Sequence, residues 1–184
     1  MASPLAPIAT LAVSTALLVS SANAGQIGQN NLFAARSFAV NLPLSGETFT
    51  HAPSGIQFDL PDGWKAEPDG EQLAISSADD TFSVVFWVAE DEEFKDAVEA
   101  LHDELGKTIK NMKVTNEGKE GVHSGMPYFS QNGTGEVEGV AVLWSVDLLK
   151  AKKPVIILTF AATENFNKNI KGYQKLVASI RKVK

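Results

Sequence analysis

The sequence predicts an α+β protein, an antiparallel β-sheet flanked by α-helices in an α/β/α sandwich, and three observations lead to this prediction. From His51 onward, several segments alternate apolar and polar residues with the period of strands. Two segments, near residues 92–110 and from Phe166 to Ile180, carry an apolar stripe at helical spacing instead. The order is strands, a helix, more strands and a terminal helix, which is typical of α+β sheets.

Turn residues delimit the strands that precede the first helix. Residues 56–60 alternate apolar and polar side chains and run into Pro61-Asp62-Gly63, which predicts a turn and the entry to a hairpin. Gln72–Ser76 predicts a short strand. Phe82–Val88 is apolar on both faces, so we expect a central strand that is covered on both sides.

In the second half of the chain, strands are again followed by a helix. A strand is predicted around residues 112–114, two long strands at residues 137–149 and 154–162, and a final helix whose basic carboxyl end suits the helix dipole. The apolar stripes of the two helices are Phe94, Val98, Leu101 and Leu105 in the first, and Phe166, Ile170, Tyr173, Val177 and Ile180 in the second.

The first 24 residues resemble a signal peptide. They contain no charged side chain, are mostly apolar and end in Ala22-Asn23-Ala24, whose small residues suit a signal peptidase. Prolines and hydroxyl residues interrupt the apolar run, which disfavours the alternative of a membrane-spanning anchor. We therefore expect residues 1–24 to be a signal peptide cleaved before Gly25, residues 25–50 a flexible linker and residues 51–184 one domain. The predicted location is periplasmic or secreted.

Composition excludes several functions. The chain has no cysteine, so disulfides, thiol catalysis and thiolate metal sites are impossible. Its net charge of -6 would repel the phosphate backbone of nucleic acid. The expected partner is another protein of the envelope or the extracellular space. No membrane span is expected after cleavage.

No residue pattern points to a catalytic, cofactor-binding or metal site. His51, His102 and His123 lack the paired spacing of zinc ligands. His123-Ser124-Gly125 is interpreted as a turn rather than a catalytic pair, because neighbouring strand residues point to opposite faces. Acidic residues at helical spacing between 92 and 103 are interpreted as a solvated face, and Asp79-Asp80 and Asp147 as ordinary turn and strand-end residues.

The glycines near residue 133 and the three tryptophans are also interpreted as structural rather than functional residues. Gly133, Gly135 and Gly139 do not form a phosphate loop, because no helix follows them. Asn132-Gly133-Thr134 is a glycosylation sequon in form, but Asn-Gly is also a favoured hairpin turn, and we predict the turn. The three tryptophans, Trp64, Trp87 and Trp144, each lie within a strand pattern and are predicted to belong to the core.

The sequence resembles one known protein family. Gly55-Ile56-x-Phe58-x-Leu60-Pro61-x-Gly63-Trp64 is similar to the opening hairpin of the Mog/PsbP-like superfamily, which includes bacterial DcrB-type lipoproteins. Gly125-Met126-Pro127, the long strand pair and the final helix also follow in the expected order, from about Phe49 to Lys182. The resemblance implies an antiparallel sheet with helices, and a protein that binds or stabilises other proteins. DcrB-type members usually carry a lipobox cysteine, which this chain lacks, so a soluble exported protein is implied.

The sequence thus predicts an exported accessory or binding protein without catalytic activity. The alternative is an enzyme of hydrolase type whose site is assembled from distant residues. An exposed apolar groove would favour binding, whereas convergent polar groups with perturbed pKa values in a pocket would favour an enzyme.

Overall fold

A computed structural model describes residues 46–70, 72–89 and 105–183 of the 184-residue chain. These residues form ten strands, a short 3₁₀ turn at Thr163–Asn165 and one long helix, α1, at Phe166–Ser179. The strands are β1 Thr48–His51, β2 Ile56–Asp59, β3 Lys65–Asp69, β4 Gln72–Ser76, β5 Phe82–Val88, β6 Lys110–His123, β7 Met126–Val137, β8 Val140–Lys150, β9 Pro154–Ala162 and β10 Arg181–Lys182.

The strands divide into two antiparallel sheets. The main sheet has seven strands in the order β3-β4-β5-β9-β8-β7-β6, and a small sheet has the order β1-β2-β10. The turn at Pro61-Asp62-Gly63 is confirmed, since Gly63 has a φ of 76° and the Trp64 amide donates to the Pro61 carbonyl at 3.1 Å. The hairpin predicted there is wrong, because β2 and β3 flank this turn but belong to different sheets.

Three of the predicted strands have the expected bounds. β4, β5 and β9 begin and end where turn residues delimit their apolar runs. β5 lies between β4 and β9 and is almost wholly buried, which confirms the prediction of an internal strand covered on both faces. Alternate residues of β5 enter two separate cores, with Val84 on one face and Val85 on the other.

The long strands β6, β7 and β8 are joined by two-residue turns. Ser124-Gly125 links β6 to β7 and Glu138-Gly139 links β7 to β8, and all four residues have positive φ, as type I′ turns require. Asn132-Gly133 is therefore not a turn. It lies within β7, where Asn132 pairs with Ser145 and Gly133 with Trp144.

Gly133 is required at this position by close packing. A Cβ atom there would collide with the Lys113 carbonyl and the Trp144 ring. The Trp144 indole is buried, and its Nε1 donates to the Thr134 carbonyl at 3.1 Å. The glycine thus makes room for an aromatic ring on the sheet, and flexibility of a hairpin does not explain it.

Helix α1 covers one face of the main sheet. Its most buried residue is Leu176, and Phe166 and Tyr173 pack on the same core. On the opposite face, residues 105–108 are helical and Leu105 and Ile109 join the second core. The remainder of the helix predicted at residues 92–110 lies outside the described part of the chain, and from Lys110 the backbone is already a strand.

The ends of the domain differ from the predicted bounds. Strand β1 begins at Thr48, so Gly46 to Thr50, placed in the linker by the sequence, belong to the folded domain. After α1 the chain does not continue as a helix, because Arg181 and Lys182 form β10 against β2. Arg181 still contacts the helix end, since its Nη1 donates to the Ser179 carbonyl at 2.7 Å. The predicted signal peptide and residues 25–45 lie outside the described residues.

Candidate binding site

Polar side chains interrupt the apolar face of the main sheet beneath α1. In β8, Val142, Trp144 and Val146 alternate onto the opposite core, which leaves Ser145 and Asp147 on the α1 side. The register places Ser130 of β7 opposite Asp147. A row of hydroxyl groups and one carboxyl group is therefore built from neighbouring strands.

These side chains line a cavity of about 330 Å³, which we call the polar cavity. Its volume falls within the range of about 300–1,000 Å³ that is usual for small-ligand sites. The sheet supplies the polar residues and Phe82, and α1 supplies Phe166 and Tyr173. The full lining consists of Phe82, Thr115, Ser130, Asn132, Gly133, Leu143, Trp144, Ser145, Asp147, Thr159, Ala161, Phe166 and Tyr173.

Aromatic rings hold one side of the polar cavity in a fixed position. The ring of Phe82 lies 5.1 Å from that of Tyr173 and 6.1 Å from that of Phe166, measured between centroids. Trp64 contacts the same Phe82 ring at 5.6 Å. These distances are those of packed aromatic pairs, so this wall is preformed by the core.

Asp147 is the only carboxyl group among the described residues that line the polar cavity. Ser145 Oγ donates a hydrogen bond to Asp147 Oδ2 at 3.2 Å. Burial raises the pKa of the Asp147 carboxyl, and hydrogen bonds from Ser130 and Ser145 oppose this rise only in part. Burial also raises the pKa of the Tyr173 phenol, and the charge of Asp147 adds to that rise. Low solvent access, rather than a neighbouring charge, therefore dominates the titration of Asp147.

A second cavity, which we call the apolar groove, adjoins the polar cavity. It measures about 250 Å³ and shares Asp147 and Tyr173 with its neighbour. The other lining residues are Val122, His123, Tyr128, Leu149, Ile157, Val177 and Ile180. Val122, at 71% exposure the most exposed large apolar residue of those described, lies at its rim. The two cavities adjoin at Asp147 and Tyr173 and form one site, in which most of the hydroxyl groups lie in the polar cavity.

The amino-terminal part of α1 is fixed to the sheet by Asp79. Asp79 accepts hydrogen bonds from Ser77 Oγ at 2.7 Å, from Lys168 Nζ at 2.6 Å and from Asn169 Nδ2 at 3.1 Å. Partial burial alone would raise the pKa of Asp79, but these hydrogen bonds, with one from Thr81, outweigh it and hold the pKa well below its usual value. The turn between β4 and β5 is thus an anchor for the helix above the polar cavity, a role beyond the ordinary turn residue that the sequence indicated.

The sequence-predicted candidates fall at separate places. His51 is buried, with its Nδ1 2.8 Å from Ser54 Oγ. His123 ends β6, and the turn predicted after it is confirmed at Ser124-Gly125; its Nε2 lies 3.0 Å from the Ile180 carbonyl oxygen. His102 lies outside the described residues. Among residues 46–70, 72–89 and 105–183, no three His, Asp or Glu side chains are close enough together to hold a metal ion.

The tryptophan predictions hold in two of three cases. Trp64 and Trp144 are buried in the two cores. Trp87 is only half-buried and packs at the margin of the second core.

Sequence reasoning missed Asp147, which it interpreted as an ordinary strand-end residue. Asp147 lies within β8, where it pairs with Ile157 of β9, and the strand continues to Lys150. The available signal is the spacing of Ser145 and Asp147, two residues apart in a strand that is otherwise apolar up to its last residue, Lys150. That spacing places both side chains on the same face.

Comparison with known proteins supports the fold. No protein-family model and no curated protein matches this chain. The solution structure of cyanobacterial PsbP (CyanoP) from Synechocystis sp. PCC 6803 matches with a TM-score of 0.53 and 12% identity, over 78% of this chain and 96% of that one. A crystal structure from Bacteroides thetaiotaomicron VPI-5482 matches with a TM-score of 0.52 and 12% identity, over 77% of this chain.

This chain spans only 50% of the Bacteroides protein. LpqN of Mycobacterium tuberculosis, described as involved in cell envelope biogenesis, has a TM-score of 0.49 and 10% identity, over 84% of this chain and 98% of that one, and we base no conclusion on it. In the part of the chain that the structure covers, no helix is long and apolar enough to cross a membrane. The fold of this chain is PsbP-like.

Proposed function

We propose that this protein is an exported accessory protein that acts by binding and has no catalytic activity of its own. The observation that supports this best is the chemistry of the site beneath α1. The polar cavity offers hydroxyl groups, aromatic rings and one carboxyl group, and no lysine, arginine or histidine is among its lining residues as described. A few polar groups in an otherwise apolar concave site are typical of ligand binding.

Among the described residues that line this site, no serine has the partners that a hydrolase nucleophile needs. A serine nucleophile needs a base that takes its proton and donors that stabilise the developing oxyanion. Ser145 contacts a carboxyl group, Asp147, rather than an imidazole. His123 lines the adjoining apolar groove, where its Nε2 is engaged by the Ile180 carbonyl.

One observation favours the alternative of an enzyme. Asp147 has a raised pKa in a cavity, and perturbed carboxyl groups of this kind are frequent at catalytic sites. The deciding measurement is turnover: the purified chain is tested against ester, amide and glycoside substrates. The binding proposal fails if a substrate is turned over and the activity is lost in Asp147→Asn while the fold stays intact.

Export and the nature of the partner belong to the same proposal. The uncharged apolar segment that ends in Ala22-Asn23-Ala24 supports export to the periplasm or the medium. We propose a protein of that compartment as the partner. Because a fold by itself does not imply a function, the proposal is supported by the binding site and by the apolar leader segment.

The partner is tested by cross-linking the full chain in its native host and measuring how much of one co-purifying protein it captures. Val122→Glu places a charge at the rim of the apolar groove and should reduce capture with little change in melting temperature, because exposed substitutions alter stability by small amounts. Val183→Glu is the matched control, since Val183 is 42% exposed and lines neither cavity. Equal capture by both variants would contradict a role for this site in partner binding.

A further inference from the structure

The carboxyl group of Asp147 lies in the polar cavity without a cationic partner among the residues that the structure describes. It lies among Ser130, Ser145 and Tyr173, and no salt bridge to it is formed by the residues for which the structure gives positions. Carboxylates withdrawn from water are usually paired with a cation, since unpaired burial is costly. Asp79, which is partly buried, follows that rule, since Lys168 Nζ lies 2.6 Å from its Oδ2.

The surroundings of Asp147 would accept a cation. The hydroxyl oxygens of Ser130, Ser145 and Thr159 can each accept a hydrogen bond, as can the amide oxygen of Asn132. The aromatic wall of Phe82, Phe166 and Tyr173 suits both a positive charge and an alkyl chain. An anion would be repelled by the charge of Asp147, because no lysine or arginine is among the described lining residues to compensate for it.

We propose that the polar cavity binds a protonated alkylamine, with the ammonium group at Asp147 and the alkyl chain against the aromatic wall. This inference rests on the proposed binding function of the site and adds the ligand class. The chemistry is shared by free small amines and by a lysine side chain presented by a partner protein. A net charge of -6 attracts either source.

The experiment is titration calorimetry of the purified chain with n-butylamine and with N-acetyl-lysine-methylamide. n-Butanol and butyrate serve as neutral and anionic ligands of similar shape. We expect one or both ammonium ligands to bind and the two others to bind at least about tenfold more weakly, since a charge-assisted contact contributes more than about 1.4 kcal/mol. Binding of the lysine derivative alone would assign the ligand to a partner protein.

Asp147→Asn is the test variant, because it keeps the side-chain shape and removes the charge. It should weaken amine binding roughly tenfold or more, while Asp69→Asn, the same change on an exposed residue of β3, should leave it unchanged. Binding of the wild-type chain should strengthen as pH rises through the titration of Asp147, with a proton released on binding; Asp147→Asn should lose this proton release. Tyr128, Tyr173 and His123 are the other titratable residues that line the two cavities.

Two results would overturn the inference: no binding of either ammonium ligand, or equal binding by the wild-type chain and Asp147→Asn. If either occurs while partner capture still depends on Val122, only the ligand class is wrong. Turnover that depends on Asp147 would instead overturn the proposed function.

Discussion

Replacement of Trp64 tests whether this residue packs the sheet against α1 beside the polar cavity. Its indole is 8% exposed, packs on Phe82 at 5.6 Å and lies so close to α1 that a Cβ atom on Gly172 would stand 2.9 Å from its Nε1. Trp64 therefore joins the turn before β3 to the helix and to the aromatic wall of the polar cavity. We expect Trp64→Ala to destabilise the domain strongly.

The magnitude follows from burial. A buried tryptophan removes about 150–250 Å² from water, which at about 25 cal/mol per Å² gives an upper bound of about 4–6 kcal/mol. Measured changes of this kind are about 3–5 kcal/mol. For a domain of this size each kcal/mol lowers the melting temperature by roughly 3–4 °C, so we expect a decrease of about 10–20 °C.

The assay is thermal unfolding followed by circular dichroism, with urea unfolding as an independent measure of the free energy. Trp87→Ala is the matched control, because it removes the same ring from a half-buried position and should cost less. If Trp64→Ala melts at the wild-type temperature, the packing of this residue between sheet and helix is wrong. A larger loss for Trp87→Ala than for Trp64→Ala would contradict the reasoning from burial.

Four further predictions follow from the same structure. Gly133→Ala should destabilise by about 1–3 kcal/mol or more, because the new methyl group meets the Lys113 carbonyl and the Trp144 ring; an unchanged urea midpoint would contradict the close packing. Asp79→Ala should cost about 1.5–3 kcal/mol at neutral pH, and because the folded pKa of Asp79 is lowered, this loss should shrink as pH falls below about 4. Asp147→Asn should be more stable than the wild type at neutral pH, because the raised folded pKa means that ionisation of Asp147 costs stability, and this difference should vanish in acid. Mass measurement of protein from the native host should give a chain that begins at Gly25, and retention of residues 1–24 would contradict cleavage at Ala24.

The sequence predicted much of the local structure because its signals are local. β4, β5 and β9 have the predicted bounds, since each is a compact apolar or alternating run between turn residues. The terminal helix follows from its apolar stripe in the same way, although the stripe extends to Ile180 and the helix ends at Ser179. The PsbP-like fold that the resemblance implied is confirmed, whereas kinship with the superfamily and with its DcrB-type members stays a prediction.

Long-range packing decided the rest. Asn132-Gly133 favours a turn in isolation, but pairing with β8 and the indole of Trp144 place it within a strand, and the turn forms instead at Glu138-Gly139. β2 pairs with β1 and with β10, which comes from the far end of the chain, whereas β3 pairs with β4 in the main sheet. Asp147 became a candidate binding residue only because five strands, β5 to β9, and α1 together line the cavity that holds it, with residues from Phe82 to Tyr173. Strand alternation could assign Asp147 to a face, whereas the enclosure that raises its pKa exists only in the folded domain.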